Sequence, residues 1–271
     1  MTTTAQTVPA GRQHLRGSVR RIGSLARAEA VLLRRNPMAL LTALGTPIVG
    51  VVLINAFPPT GSVPLPGATI AVTVTAYTLI FPLYYNLVTT LVARREELVL
   101  KRLRSSECSD AEILIGAAAP AMTIAWGQTI VGVIAATAVF GMALPVNPAL
   151  VIVAVLLGTV VFVLLAAAST AMTRTVEMAQ LSTLPVVVVS MALGGLFPPD
   201  MLPGPLPRIA QLLPLTQVVD LMWLGLTGTT RGGPGEWESF SGIVPAFLVI
   251  GVWVVVGALA CRRFMRWEPR K

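Results

Sequence analysis

Charge is scarce in this sequence, and its absence has a pattern. Only 12% of the 271 residues are Asp, Glu, Lys or Arg, while 55% are hydrophobic; a soluble domain carries roughly 25% charged residues. No charged residue occurs between Arg35 and Arg94, a gap of 58 residues, or between Glu112 and Arg174, a gap of 61. Shorter gaps of 22 and 23 residues separate Glu177 from Asp200 and Glu238 from Arg262. A helix needs about 20 apolar residues to cross about 30 Å of hydrocarbon. Each long gap therefore holds two helices and a turn, and each short gap holds one.

The predicted fold is an all-α integral membrane protein with six transmembrane helices, at 37–57, 68–92, 113–140, 149–172, 179–197 and 243–261. Turn chemistry marks the breaks inside the long gaps. Phe57 to Gly67, with Pro58, Pro59, Gly61, Pro64 and Pro66, separates spans one and two. Gly141, Pro145, Asn147 and Pro148 separate spans three and four.

Other scarcities exclude other chemistry. His14 is the single histidine, and the two cysteines, Cys108 and Cys261, give neither a disulfide framework nor the three or four ligands of a metal site. Residues 1–36 do not read as a cleaved signal peptide, because the apolar stretch begins late and no small-residue cleavage site follows it. No predicted span contains Asp, Glu, Lys, Arg or His, which argues against proton or sodium coupling. The spans also lack paired carboxylates or a nucleophile with its base, as membrane-embedded hydrolases and transferases need. The only lysines are Lys101 and Lys271, and neither follows a phosphate-cradling glycine loop. The chain is therefore expected not to be an enzyme, and any power for transport must arrive through another subunit.

The charges that remain set the orientation. Arg12, Arg16, Arg20, Arg21, Arg27, Arg34 and Arg35 precede span one; residues 93–112 hold five basic residues, Arg174 follows span four, and the C-terminus holds five more. In a six-span alternation these lie on one side, which holds 18 of the 20 basic residues. The other side has Arg208 and Arg231 against Asp200, Asp220, Glu236 and Glu238. Positive segments stay inside, so both termini are expected in the cytoplasm. The basic composition needs only anionic lipid headgroups as its partner, and no nucleic acid.

Three segments outside the spans stand out. In 12–35, Leu15, Val19, Ile22, Ala26 and Leu33 share one face while Arg16, Arg20, Arg27 and Arg34 share a flank, the pattern of a basic amphipathic helix lying at the interface. The competing reading is a disordered basic tail, which is preferred for residues 1–10. Asn36-Pro37 reads as an N-cap and first helical residue. In 94–112, Glu97 and Lys101 have the favourable i,i+4 spacing, and Ser109 with Glu112 forms a capping box that would start span three. This describes a short charged helix tethered between two spans, although an ordinary solvated loop obeys the same charge bias. In 198–242, apolar runs of modest length broken by Pro203 and Pro214 suggest re-entrant or short interfacial helices, with two further spans as the alternative.

Span two carries a polar stripe: Thr69, Thr73, Tyr77 and Tyr84 fall within about 80° at 100° per residue. Pro82 would kink it. Such a stripe suits a passage for an amphiphile, with Gln180 and Thr183 in span five giving a weaker hint; helix–helix hydrogen bonding is the competing use.

Taken together, the chain resembles the permease subunit of a type-2 ABC exporter, the class that includes daunorubicin-resistance and polysaccharide or teichoic-acid exporters. The resemblance rests on the whole layout and on Arg95-Glu96-Glu97 through Arg104-Ser105-Ser106, Ala111 to Gly116, Gly194-Gly195-Leu196-Phe197-Pro198, Leu202-Pro203 and Leu213-Pro214-Leu215-Thr216. It departs in one place: many relatives have Gly soon after the acidic pair, where this chain has Leu98-Val99. The resemblance implies a pair of permeases, a homodimer or a dimer with a similar paralogue, above two copies of an ABC ATPase subunit. That partner would bind ATP and Mg, with no cofactor in this chain. Glu96, Glu97, Leu100, Lys101, Arg102, Leu103 and Arg104 would form the coupling helix, and spans two and five would rock to export a drug, lipid or glycolipid from a bacterial plasma (inner) membrane. An ATP-independent channel or carrier, and a non-transporting assembly factor, are the other classes the residues allow.

Overall fold

The computed structural model describes residues 10–35, 37, 41, 65–104, 109–173, 175–195, 202–231 and 240–264. Nine helices are described: α1 (Ala10–Arg35), α2 (Pro66–Glu96), α3 (Val99–Arg104), α4 (Asp110–Ala138), α5 (Pro148–Ser169), α6 (Val176–Leu193), α7 (Leu206–Ala210), α8 (Pro214–Thr227) and α9 (Phe240–Phe264). Five of them (α2, α4, α5, α6 and α9) are long and apolar enough to cross a membrane, consistent with an all-α membrane protein. They correspond to predicted spans two to six. Predicted span one, 37–57, apart from Pro37 and Leu41, lies outside the described residues, as do Asn36 of the expected cap and residues 1–9.

Helix α2 is the centre of the bundle. Its apolar length is buried against α4, α5, α6 and α8, with Leu79, Ile80, Leu83, Leu87 and Leu91 wholly enclosed. Pro82 has no N–H to continue the ladder, and its ring crowds the carbonyl one turn back. The chain responds by widening into a π-helix over Leu79–Tyr85 before resuming α geometry at Asn86. By contrast α4, α6 and α9 turn apolar side chains outward: Ile130, Val131, Leu181, Val188, Val252 and Leu259 are all exposed. Surface of this kind belongs against lipid or another subunit, not water.

Local chemistry sets the helix starts. The capping box is formed as expected: Glu112 N donates to Ser109 Oγ at 3.3 Å, and Ser109 N donates to Glu112 Oε2 at 2.8 Å. Asn147 caps α5 by accepting from Leu150 N at 3.0 Å, with Pro148 at the first helical position. Thr175 caps α6 by accepting from Met178 N at 3.3 Å.

Between α6 and α9 the chain forms the short helix pair that the Pro-broken pattern suggests. Helix α8 is almost wholly buried and packs on α5, α9 and α2. Gly225 permits this approach, since a methyl there would sit 2.8 Å from Val151 Cγ2 and 3.2 Å from the Asn147 carbonyl oxygen. That space is used by backbone: Asn147 N donates to Gly225 O at 2.8 Å, joining the α4–α5 turn to α8.

Candidate functional site

The segment after α2 forms a small amphipathic unit. Glu97 caps α2, and Leu98 takes a left-handed conformation with φ of 59°. That region favours glycine, the residue whose absence at this point marks the departure noted above. The reversal starts α3. Leu100 is 2% exposed and packs with Leu103 against Ile113 at the start of α4. Arg102 faces outward, and Lys101 and Arg104 lie on the same short helix. Glu96 and Glu97 are exposed beside it. The chain turns at Leu98, so Glu97 at the end of α2 and Lys101 in α3 belong to different helices. Glu97 accepts from Arg94 at 2.7 Å, one turn back. An exposed pair of this type contributes at most about 1 kcal/mol.

The anchor of this unit is Arg95. It is only 1% exposed and is the largest fully buried side chain described. Its Nη1 donates to Thr170 O at 2.8 Å and its Nη2 to Thr173 O at 2.5 Å. Thr170 is the C-cap of α5 and Thr173 lies in the turn that follows, so the guanidinium sits by the negative pole of that helix. Thr173 Oγ1 in turn shares a 2.7 Å hydrogen bond with Ser182 Oγ on α6. The end of α2 is thereby tied to α5 and α6 by polar bonds inside the packing. Charge counting groups Arg95 with the solvated basic residues; what could have found it is position. Tyr84, Val88, Leu91 and Arg95 are spaced by four, three and four residues, so Arg95 continues the buried face of α2.

Helix α1 joins the same end. Arg21 Nη2 donates to Glu112 Oε1 at 2.8 Å and its Nε to Oε2 at 3.4 Å. Glu112 thus closes the cap of α4 and pins α1 with one carboxylate. Leu25 packs beneath, where a methyl on Gly116 would lie 2.6 Å from its Cβ. The α1 helix expected on amphipathic spacing is present over 10–35 and lies against α4.

The polar stripe on α2 is divided. Thr69 and Tyr77 are half-buried, and Tyr77 stacks on Phe81 with ring centroids 5.8 Å apart. Thr73 and Tyr84 are inside the packing. Tyr84 shares a 3.0 Å hydrogen bond with Ser169 on α5 and meets Phe162 edge-on. The count of 100° per residue holds from Thr69 to Tyr77 and fails at Tyr84, because the π-helix absorbs about one extra residue and turns Tyr84 away by roughly 100°. On α6, Thr183 is buried and donates to Ala179 O at 2.7 Å, whereas Gln180 is exposed.

At the opposite end of the bundle a second ion pair escaped sequence reasoning. Arg231 donates to Asp220 through Nε at 2.7 Å, and its Nη1 donates to the Gly195 carbonyl. Burial pushes the Asp220 carboxyl above its ordinary range, and the adjacent guanidinium draws it back down. The residues are 11 apart across the Gly228 turn, a distance with no pairing rule, so nothing in the spacing announces them.

Residues 52–261 match a family model described as ABC-2 family transporter protein. No curated protein matches the chain.

Proposed function

Since the chain belongs to the ABC-2 transporter family and is therefore the membrane subunit of an ABC transporter that works with an ATPase partner, we propose that it exports an amphiphile, a drug, lipid or glycolipid, under power delivered to residues 94–112. The chain holds no nucleotide site of its own in this reading. Two ATPase copies bind ATP and Mg beneath a pair of permeases, formed by two copies of this chain or by this chain and a close paralogue, in a plasma (inner) membrane with both termini cytoplasmic.

One observation supports this most: α3 packs Leu100 and Leu103 inward and turns Arg102 outward, and the end of α2 before it is tied to the turn after α5 by Arg95. Force applied to Glu96, Glu97 or Arg102 from below meets a short helix packed on Ile113 and α4, not a slack loop. It passes through Arg95 to the ends of α5 and α6. Helix α1, pinned by Glu112, adds to the same face. The exposed apolar sides of α4, α6 and α9 supply surface for the second permease and for lipid. Of the candidate path residues, Thr69, Tyr77 and Gln180 are open to the outside of the protomer, where cargo would meet them; Thr73, Tyr84 and Thr183 brace the helices behind.

Reconstitution tests the reading. Liposomes holding the permease and its ATPase should export an amphiphilic cargo only with ATP, and the permease alone should move nothing uphill. Uphill movement by the permease alone identifies a self-powered carrier instead, and ATPase binding without any movement identifies an assembly factor.

A further inference from the structure

The end of the bundle opposite α3 contains a cavity of about 620 Å³ between α6, α8 and the start of α9. Its walls are mainly apolar, with Leu193, Leu221, Leu224, Ile243 and Val249 among them, and Asp220 reaches its surface. The size lies within the range of sites that enclose drug-sized ligands. The polar side is asymmetric. Arg231 engages all three of its nitrogens, with Nε and Nη2 on Asp220 Oδ1 at 2.7 and 2.6 Å and Nη1 on the Gly195 carbonyl. Both contacts to the carboxylate fall on that one oxygen. Asp220 Oδ2 has no partner among the described residues, and the Asp220 side chain is 39% exposed while that of Arg231 is 13% exposed. A carboxylate offers about four acceptor positions, so Asp220 keeps unused acceptors at the edge of a mainly apolar hollow.

We propose that this cavity is a binding site for a cationic amphiphile, whose apolar body fills the space between α8 and α9 and whose ammonium donates to Asp220 Oδ2. The partly desolvated carboxylate gains from a second donor, since one guanidinium does not fully offset its burial. A carboxylate-headed amphiphile meets Asp220 as a like charge and must compete with it for Arg231. The assignment deepens the exporter reading and rests on it for the pocket's place on the release side of transport; binding itself needs neither ATP nor the ATPase.

The test uses the full chain in nanodiscs without ATPase and a dansyl-tagged dodecylamine with a free ammonium, read by fluorescence titration. Saturable binding is expected. The dansyl-tagged dodecanoate should bind at least about tenfold more weakly, and Asp220→Asn should weaken the amine by a similar factor, as loss of a charge-assisted hydrogen bond implies. Leu224→Trp retains the ion pair and fills the hollow, so it should abolish binding while the protein stays monodisperse; it carries the test if Asp220→Asn does not fold. Equal affinity for amine and carboxylate, or unchanged amine affinity in a folded variant of either kind, overturns the proposal. Export assays on the complete transporter run beside it. Binding with no ATP-driven export refutes the exporter reading alone, and export with no binding refutes the pocket alone.

Discussion

The two ends of the helix bundle handle charge in opposite ways. At the α3 end, ionic groups close helix termini: Arg95 covers the last carbonyls of α5, and Glu112 caps α4 while holding Arg21 of α1. Apolar residues fill the space between, and the charges left over point outward. At the far end the single described ion pair, Asp220 with Arg231, borders a hollow and spans a turn. The difference teaches what each end can do. A face whose buried charges bind neighbouring helices transmits displacement, because movement of one helix breaks bonds on the next. A face with open volume and a half-used carboxylate accommodates a ligand.

The comparison breaks most severely if Arg95 is not the tie. Arg95→Met should destabilise the protein by about 2–4 kcal/mol, since it leaves helix-terminal carbonyls buried without their charged donor. Thermal unfolding in detergent measures this. Arg95→Lys should recover only part of the loss, because one ammonium does not reproduce the fork that reaches Thr170 and Thr173. A silent Arg95→Met would mean that the α3 end is no stiffer than the other.

Gly116→Val should cost about 1–3 kcal/mol by overpacking, as the new side chain overlaps Leu25. Its specific sign is release of α1 from α4, read as faster protease cleavage within residues 10–35 with the remaining helices intact. A smaller effect is expected at Leu98, whose φ of 59° suits glycine. Leu98→Gly should be neutral or mildly stabilising, and Leu98→Ile should cost about 1 kcal/mol more, because β-branching is poorly tolerated there. Equal stability of the two variants would show that the turn is not held in that conformation.

The same contrast explains what could be read from residues alone. The charge-free gaps expose α2, α4, α5, α6 and α9 because hydrocarbon tolerates few ionised groups, and that rule is independent of packing. Ser109 and Glu112 were legible because a capping box is local: both partners lie within four residues. Arg95 was not, because its acceptors on Thr170 and Thr173 are about 75 residues away and an arginine at a helix end is ordinarily solvated. Tyr84 left its stripe because Pro82 signals a disturbance without saying whether the helix will kink or widen. The i,i+4 spacing of Glu97 and Lys101 presumes one continuous helix, whereas the chain turns at Leu98 between α2 and α3. The Asp220–Arg231 pair depends on a loop that no periodicity describes.

The central claim is that energy enters through the outward charges around α3, and a double charge reversal measures it directly. Glu96→Lys with Glu97→Lys changes exposed side chains and breaks the surface pair of Glu97 with Arg94, so stability should fall by about 1 kcal/mol or less. In liposomes containing the permease and its ATPase, the account predicts a folded, monodisperse protein whose ATP-driven export is lost. Undiminished export in that double variant would contradict it.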